Sequence, residues 1–230
     1  EYLQETDTFD TWFSSSQWPV ITLKNARPTD FKRFYPTSVM ETGYDILPFW
    51  VMRMMLLCTY ITRDSEHPEG VSPFKTVYLH GLARDQKGQK MSKSKGNVIN
   101  PLSIKAEFGA DALRLALVIR STPGMDKSVG MPDFKAARNF TNKLWNAARF
   151  VILQLENEVE LEQTNKYPQE DAFNQKLSEI VTQITSEYSE YKLGLATENL
   201  YAYFWHWYCD QCIEDHKKGD ISQAALLNGL

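Results

Sequence analysis

An α/β region followed by an α-helical region is the fold that this sequence predicts, and three observations predict it. Residues 38–60 run strand, glycine turn, aspartate and apolar helix in succession. A second strand at 74–79 leads toward a lysine-rich loop. From Asp133 onward, apolar residues recur at spacings of three and four, the period of helices with one buried face.

Taken in order, residues 1–18 open with four acids in ten positions, a solvated entry. Asp10-Thr11-Trp12-Phe13-Ser14-Ser15 then sets aromatics beside small polar residues able to cap a helix. Pro19, Pro28 and Pro36 among mixed charges predict a loop-rich connection over 19–36. Ser38-Val39-Met40 is a short strand running into Glu41-Thr42-Gly43-Tyr44-Asp45. Ile46 to Tyr60 is apolar almost throughout, so a helix of four turns buried on most sides is expected. Pro48 falls in its first turn and Arg53 is the one charge needing a partner. Strand, turn and helix make a βα unit of an open parallel sheet, which binds ligands at the carboxyl ends of its strands. A glycine there permits close backbone approach, and the Asp45 carboxylate can accept hydrogen bonds from a ribose.

Residues 61–73 are turn-rich, and Phe74 to Leu79 alternates as a strand ended by His80-Gly81. The strand is expected to bring the lysine loop to the same edge as Gly43 and Asp45. Helical faces follow over 102–108 and 110–119, interrupted at Gly109. The Pro- and Gly-rich segment Arg120–Pro132 is taken as a boundary, dividing 1–120 from 121–230. Beyond it Phe134, Ala137, Phe140, Leu144, Trp145, Ala148, Phe150, Val151 and Leu153 mark the expected buried stripe of one helix. An acidic, polar loop spans 154–170, and helices are expected over 172–190 and 196–216.

The totals narrow the function. The 230 residues are 43% hydrophobic and 23% charged, ordinary for a globular protein. A net charge of -4 gives no global attraction to nucleic acid, so any RNA contact must come from local basic surface. No apolar run of membrane-spanning length and no signal pattern are read, and three cysteines fit a reducing compartment; the expectation is a cytoplasmic chain with no membrane partner. The opening Glu1-Tyr2-Leu3 leads us to expect a piece of a longer protein, inactive alone.

Chemistry concentrates in 86–97, which carries four lysines, no acid, and small or hydroxyl residues between the charges. Lys90 and Lys93 flank Met91 and Ser92, Ser94 follows, and Gly88 and Gly96 act as hinges. Such a loop can close over a polyphosphate, with ammonium groups supplying charge and hydroxyls and backbone N–H groups supplying hydrogen bonds. Other candidates are weaker. Cys209-Asp210-Gln211-Cys212 has no second pair, so a packed helix face is expected there and no metal site is assigned. His80 stands beside the proposed site and is kept as a contact.

The string Lys90-Met91-Ser92-Lys93-Ser94 is similar to the KMSKS signature of class I aminoacyl-tRNA synthetases. With Asp10–Ser15, Phe34-Tyr35-Pro36-Thr37-Ser38-Val39, Thr42–Ile46, Phe49–Met54, Gly109–Arg114, Arg138-Asn139-Phe140 and Asn142–Ala147, the chain resembles the valyl-tRNA synthetases within that class. The resemblance implies the second half of a Rossmann-type catalytic domain, a connecting fold around the KMSKS loop, and the start of an α-helical anticodon-binding bundle. It implies catalytic roles for Lys90 and Lys93, and ATP contacts at Gly43, Asp45, His80, Met91, Ser92 and Ser94. Trp12, Ile46 and Trp50, with Glu41 as neighbour, then match a valine pocket, and Arg138, Lys143 and Arg149 are candidates for tRNA contact. ATP with Mg2+, valine, tRNA(Val) and the remaining domains of a full-length synthetase are the implied cofactors and partners. The HIGH signature of the class does not occur in the sequence. Alternatives are a non-catalytic tRNA-binding module, an isoleucyl- or leucyl-type relative, and a nucleotidyltransferase of the same superfold.

Overall fold

A computed structural model describes residues 3–27, 29–155 and 167–230. Pro28 and most of the acidic stretch expected to be a loop over 154–170 lie outside the described residues. Two compact units divide the chain, Glu1–Gly81 and Leu82–Leu230.

In the first unit, α1 (Thr11–Ser15) is capped by the Asp10 carboxylate, which accepts from Phe13 N–H at 2.9 Å. The expected loop at 19–36 is instead mostly helix: α2 (Trp18–Asn25) and α3 (Asp30–Phe34). Pro19 sits in the first turn of α2, where a missing N–H has no intrahelical partner to lose, and Pro36 follows α3 and so breaks nothing. Strand β1 (Thr37–Gly43) pairs parallel with β2 (Phe74–His80), in a register that sets Thr37 opposite Phe74 and Gly43 opposite His80. A parallel pair needs a crossover. It is a continuous helical path: a 3-10 turn (Tyr44–Ile46), a π turn (Leu47–Val51) and α4 (Met52–Ile61).

Burial of that crossover differs from expectation. Val51 and Met54 pack with Phe74 of the sheet, and Cys58 is buried, whereas Phe49, Met52, Leu56 and Tyr60 form an exposed apolar stripe, Leu56 at 69%. A two-stranded sheet has room to cover only one side of a helix. By length and composition Tyr44–Ile61 is apolar enough to cross a membrane, against the sequence reading; its buried side packs on the parallel sheet through Val51 and Met54, and the Cys58 thiol donates to the Ser16 carbonyl at 3.3 Å. Arg53 finds its partners in α1 and its cap, with Asp10 Oδ2 at 3.6 Å and the Trp12 ring centroid at 5.9 Å.

In the second unit, β3 (Ala83–Arg84) pairs parallel with β4 (Lys127–Ser128). Between them lie the lysine loop and two helices, α5 (Pro101–Phe108) and α6 (Ala110–Val118). Asn100 caps α5, accepting from Leu102 N–H at 3.0 Å, and Gly109 separates the helices at φ +92°. These helices share a core with Phe134 and Ala137 of α7 (Met131–Leu155), Phe108 and Phe134 having ring centroids 6.2 Å apart.

The buried stripe of α7 runs Phe134, Ala137, Phe140, Ala147 and Val151. Trp145 was expected on it and is 73% exposed; Leu144 and Leu153 are also outside it. Phe134, Ala137, Phe140 and Val151 are buried as expected, whereas the row through Leu144, Trp145 and Leu153 is not, because Ala147 and not Trp145 faces the helices that follow α7. Those are α8 (Glu170–Ser189), α9 (Leu193–Ala202), a π-helical stretch (Tyr203–Cys212), α10 (Ile213–Lys217) and α11 (Gln223–Asn228). Cys209 and Cys212 are buried in this core beside Phe204 and Tyr208, and burial raises their thiols to about 11 and about 12. They are packing residues, as the sequence reading preferred.

Candidate functional site

At the carboxyl ends of the parallel strands, the first unit gathers Glu41, Gly43, Asp45, Ile46 and His80. Parallel register puts Gly43 beside His80, and Glu41 Oε1 lies 3.3 Å from His80 Nε2. His80 Nδ1 is 2.9 Å from the Gly81 carbonyl oxygen, so the imidazole is held between its own chain and the neighbouring strand. Gly43 is buried, whereas Asp45 is exposed in the 3-10 turn that follows. Both candidate tryptophans are tied to this region through α1. Trp50 donates from Nε1 to the Ser15 carbonyl at 3.1 Å, and Trp12 lies 6.0 Å, centroid to centroid, from Phe49. An unpaired indole N–H is costly when shielded from water, so the Ser15 contact fixes how the Trp50 ring lies.

The lysine loop in the second unit is built around a carboxylate just outside the basic run. Asp85 opens a turn closed by Gly88 N–H donating to its carbonyl at 2.9 Å, with Gly88 at φ +75°. Asp85 Oδ1 accepts from Lys87 N–H at 2.9 Å and Gln89 N–H at 2.8 Å, while Oδ2 accepts from the Asn97 amide at 2.8 Å. The Asn97 amide also donates to the Lys90 carbonyl at 3.3 Å, and its oxygen accepts from Ser92 N–H at 2.9 Å. Hydrogen bonding by Asn97, then by the Gln89 backbone, holds the Asp85 carboxyl below the usual aspartate range, with help from the Lys87 backbone and charge.

Inside this ring Ser92 caps a 3-10 turn (Lys93–Lys95), accepting from Lys95 N–H at 3.3 Å, and its hydroxyl lies 3.1 Å from that of Ser94. Gly96 ends the turn at φ +65°. Lys90 and Lys93 are exposed, and among the described residues neither makes an ion pair, so both ammonium groups are available to an anion. Met91 and Ser92 are half-buried at the neck.

The base of the loop is anchored elsewhere. Asp126 pairs with the Arg84 guanidinium and accepts from Leu82 N–H at 2.9 Å, fastening β3 to β4. Next to it, Lys127 donates to the carbonyls of Ala116 (2.7 Å) and Ile119, neutralising the C-terminal end of α6; burial lowers its pKa from the ordinary lysine value. The sequence reading missed Asp85, Arg84 and Asp126 and gave Asn97 no role. Asp85-Gln86-Lys87-Gly88 carried a signal, Asp first and Gly fourth in a tight turn. Nothing local could have paired Asp126 with Arg84.

The three α7 cations do not form one patch. At about 100° per residue, Arg138 and Arg149 share a side while Lys143 is about 140° from Arg138. The Arg138 guanidinium lies 5.0 Å over Phe108, and Lys143 lies 5.2 Å over Trp205 and 3.5 Å from Asp210, whereas Arg149 is exposed. Among the described residues, no group of three or more His, Cys, Asp or Glu is placed to hold a metal ion.

Comparison with known proteins gives these residues a context. The chain is 46% identical over 216 residues to a valine--tRNA ligase of Dehalococcoides mccartyi strain CBDB1, covering 93% of this chain and 24% of that protein. The same identity and coverage relate it to a valine--tRNA ligase of Thermus thermophilus. The chain thus spans about a quarter of the curated relatives it matches. Among solved structures, the agnB2 LeuRS of Agrobacterium radiobacter K84, in ternary complex with tRNA and LeuAMS, superposes at a TM-score of 0.75 with 20% identity, over 98% of this chain and 29% of that one. A Mycobacterium tuberculosis methionyl-tRNA synthetase in complex with methionyl-adenylate superposes at 0.63 with 19% identity, over 91% of this chain and 41% of the other. Residues 1–130, more than half the chain, match the family description "tRNA synthetases class I (I, L, M and V)", and the chain belongs to that family.

Proposed function

We propose that the chain is part of a valine--tRNA ligase, in which it contributes to ATP-dependent activation of valine and transfer of the valyl group to tRNA(Val). One observation carries the reading. An exposed lysine pair on a cross-tied loop occurs in a chain 46% identical, over nearly its whole length, to proteins named for that activity. In this reading residues 1–120 are the later half of a Rossmann-type domain with the KMSKS loop, and 121–230 begin a helical anticodon-binding bundle. The exposed stripe of Phe49, Met52, Leu56 and Tyr60 is then the face that other parts of the full-length synthetase cover.

In activation, the valine carboxylate attacks the α-phosphorus of ATP, forming the adenylate and releasing pyrophosphate. Negative charge grows on the leaving group, so cations held there favour the transition state over bound ATP. Lys90 and Lys93 fill that role, while Met91, Ser92 and Ser94 shape the loop around the phosphates. Gly43, Asp45 and His80 contact the adenosine, and Trp12, Ile46 and Trp50, with Glu41 as neighbour, bound the valine side chain. Arg138, Lys143 and Arg149 contribute to tRNA contact. Among the described residues no group of three or more His, Cys, Asp or Glu is placed to hold Mg2+; bound with ATP, the ion would share the phosphate charge.

The test is ATP–pyrophosphate exchange by the full-length protein with valine, isoleucine, leucine and methionine supplied separately. Valine is expected to support the fastest exchange. Faster exchange with any of the other three overturns the valine assignment, and tRNA binding without amino-acid-dependent exchange overturns the catalytic one.

A further inference from the structure

Resting on the proposed function, we infer that Asp85 and Asn97 form a latch across the neck of the lysine loop and are positioning residues for Lys90 and Lys93. Residues 90–97 leave and return through a neck spanned by one side chain. The Asn97 carboxamide holds the outgoing strand at the Lys90 carbonyl and the Ser92 N–H, and it is itself held by Asp85 Oδ2. Asp85 in turn clamps the approach through Lys87 and Gln89 N–H. Every atom of the two side chains able to hydrogen-bond is aimed at this ring: three donors reach the two Asp85 oxygens, and one donor reaches the Asn97 oxygen.

The consequence is mechanical. Without the latch, 90–94 is a lysine-rich segment bounded by glycines at positive φ, free to spread its cations apart by mutual repulsion. With it, Ser92 stays at the head of the 3-10 turn, and Lys93 leaves the ring at a fixed point. The loop can then swing as a preformed unit and meet a polyphosphate without ordering itself first, which keeps the cost of closing it low. Asp85 touches no reacting atom in this scheme; it acts through Asn97.

A charge-conserving swap tests the latch in the full-length protein. Asp85→Asn leaves one acceptor for two sides, so its NH2 opposes either the Asn97 NH2 or the Lys87 and Gln89 N–H groups, and Asn97→Asp faces one carboxylate with another; each variant breaks the ring. The double variant Asp85→Asn/Asn97→Asp restores the hydrogen bond between the two side chains with donor and acceptor exchanged. Each single variant is expected to lower kcat for valine-dependent pyrophosphate exchange about 10- to 100-fold with the KM for valine unchanged. The double variant should recover at least tenfold over the poorer single. The amides of Gln89 and Ser92 should exchange hydrogen faster in Asn97→Asp and return toward the native rate in the double. Single variants within twofold of native, or a double variant no better than the product of the two losses, overturn the latch. A native protein without valine-dependent exchange refutes the functional reading instead, and the hydrogen-exchange comparison then decides the latch alone.

Discussion

Replacing Lys93 by alanine in the full-length protein separates charge from scaffold, because the ring does not use the Lys93 side chain. Only its backbone enters, the carbonyl accepting from Gly96 N–H at 3.2 Å, and Ser92 still caps the turn. The loss therefore measures one ammonium facing a phosphate. At 4 Å, such a pair is worth about 1 kcal/mol in bulk water and about 4 kcal/mol at an effective dielectric near 20. Lys93 is exposed, so the upper figure needs discounting for solvent screening, and about 2–3 kcal/mol is expected. That corresponds to a fall of roughly 30- to 150-fold in kcat/KM for ATP in pyrophosphate exchange. Valine binding, followed separately by calorimetry, should change by less than about twofold, and Lys93→Arg should keep most of the rate. A parallel fall in exchange and valine affinity would refute the reasoning, since charge on a leaving group has no reason to alter binding of the free amino acid.

Acid should loosen the loop through one carboxyl. The folded Asp85 pKa lies below its ordinary value of 3.8, so its contribution is present above that value and fades as pH falls through the lowered one. Amide shifts of Gln89 and Ser92, followed by NMR, should be flat near neutrality and move only below about pH 4; the same titration in Asp85→Asn should lack that step. Two glycines make a contrast in packing. A Cβ at Gly194 would lie 2.0 Å from the Ser121 carbonyl oxygen, an obstacle of backbone, so Gly194→Ala should cost about 3 kcal/mol by hydrogen exchange in α9. At Gly130 the obstacle is the Gln86 side chain, Nε2 at 2.2 Å and Cγ at 2.3 Å, which can swing away from its stem, and Gly130→Ala should cost less than Gly194→Ala. Equal costs at the two positions would show that the obstacle's rigidity does not matter.

Helices, strands and their order were legible because each depends on neighbours in sequence. Strand β2 ends at His80 as the alternation and the His80-Gly81 break implied, and Gly109 splits α5 from α6 where the apolar face is interrupted. Prolines misled at 19–36 because their effect depends on position within a helix, which composition does not give. Family membership was legible too: the lysine loop and the tryptophan-bearing strings are short, ordered and local. How far the buried side of a helix extends was not. The 3.6-residue period gave Phe134, Ala137, Phe140 and Val151, but which apolar residues beside them are covered is set by the surface that packs against the helix, so Trp145 is exposed where Ala147 is buried, and the crossover helix is covered on one side only. The scaffold of the loop was hidden for the same reason. Asp85 lies outside the lysine run, and Asp126 meets Arg84 across 42 residues of chain. A sequence states which charges a segment carries and can flag a tight turn such as Asp85–Gly88; only the fold states which distant carboxylate holds the base in place, because an ion pair such as Arg84–Asp126 forms by distance in space and leaves no imprint on local pattern.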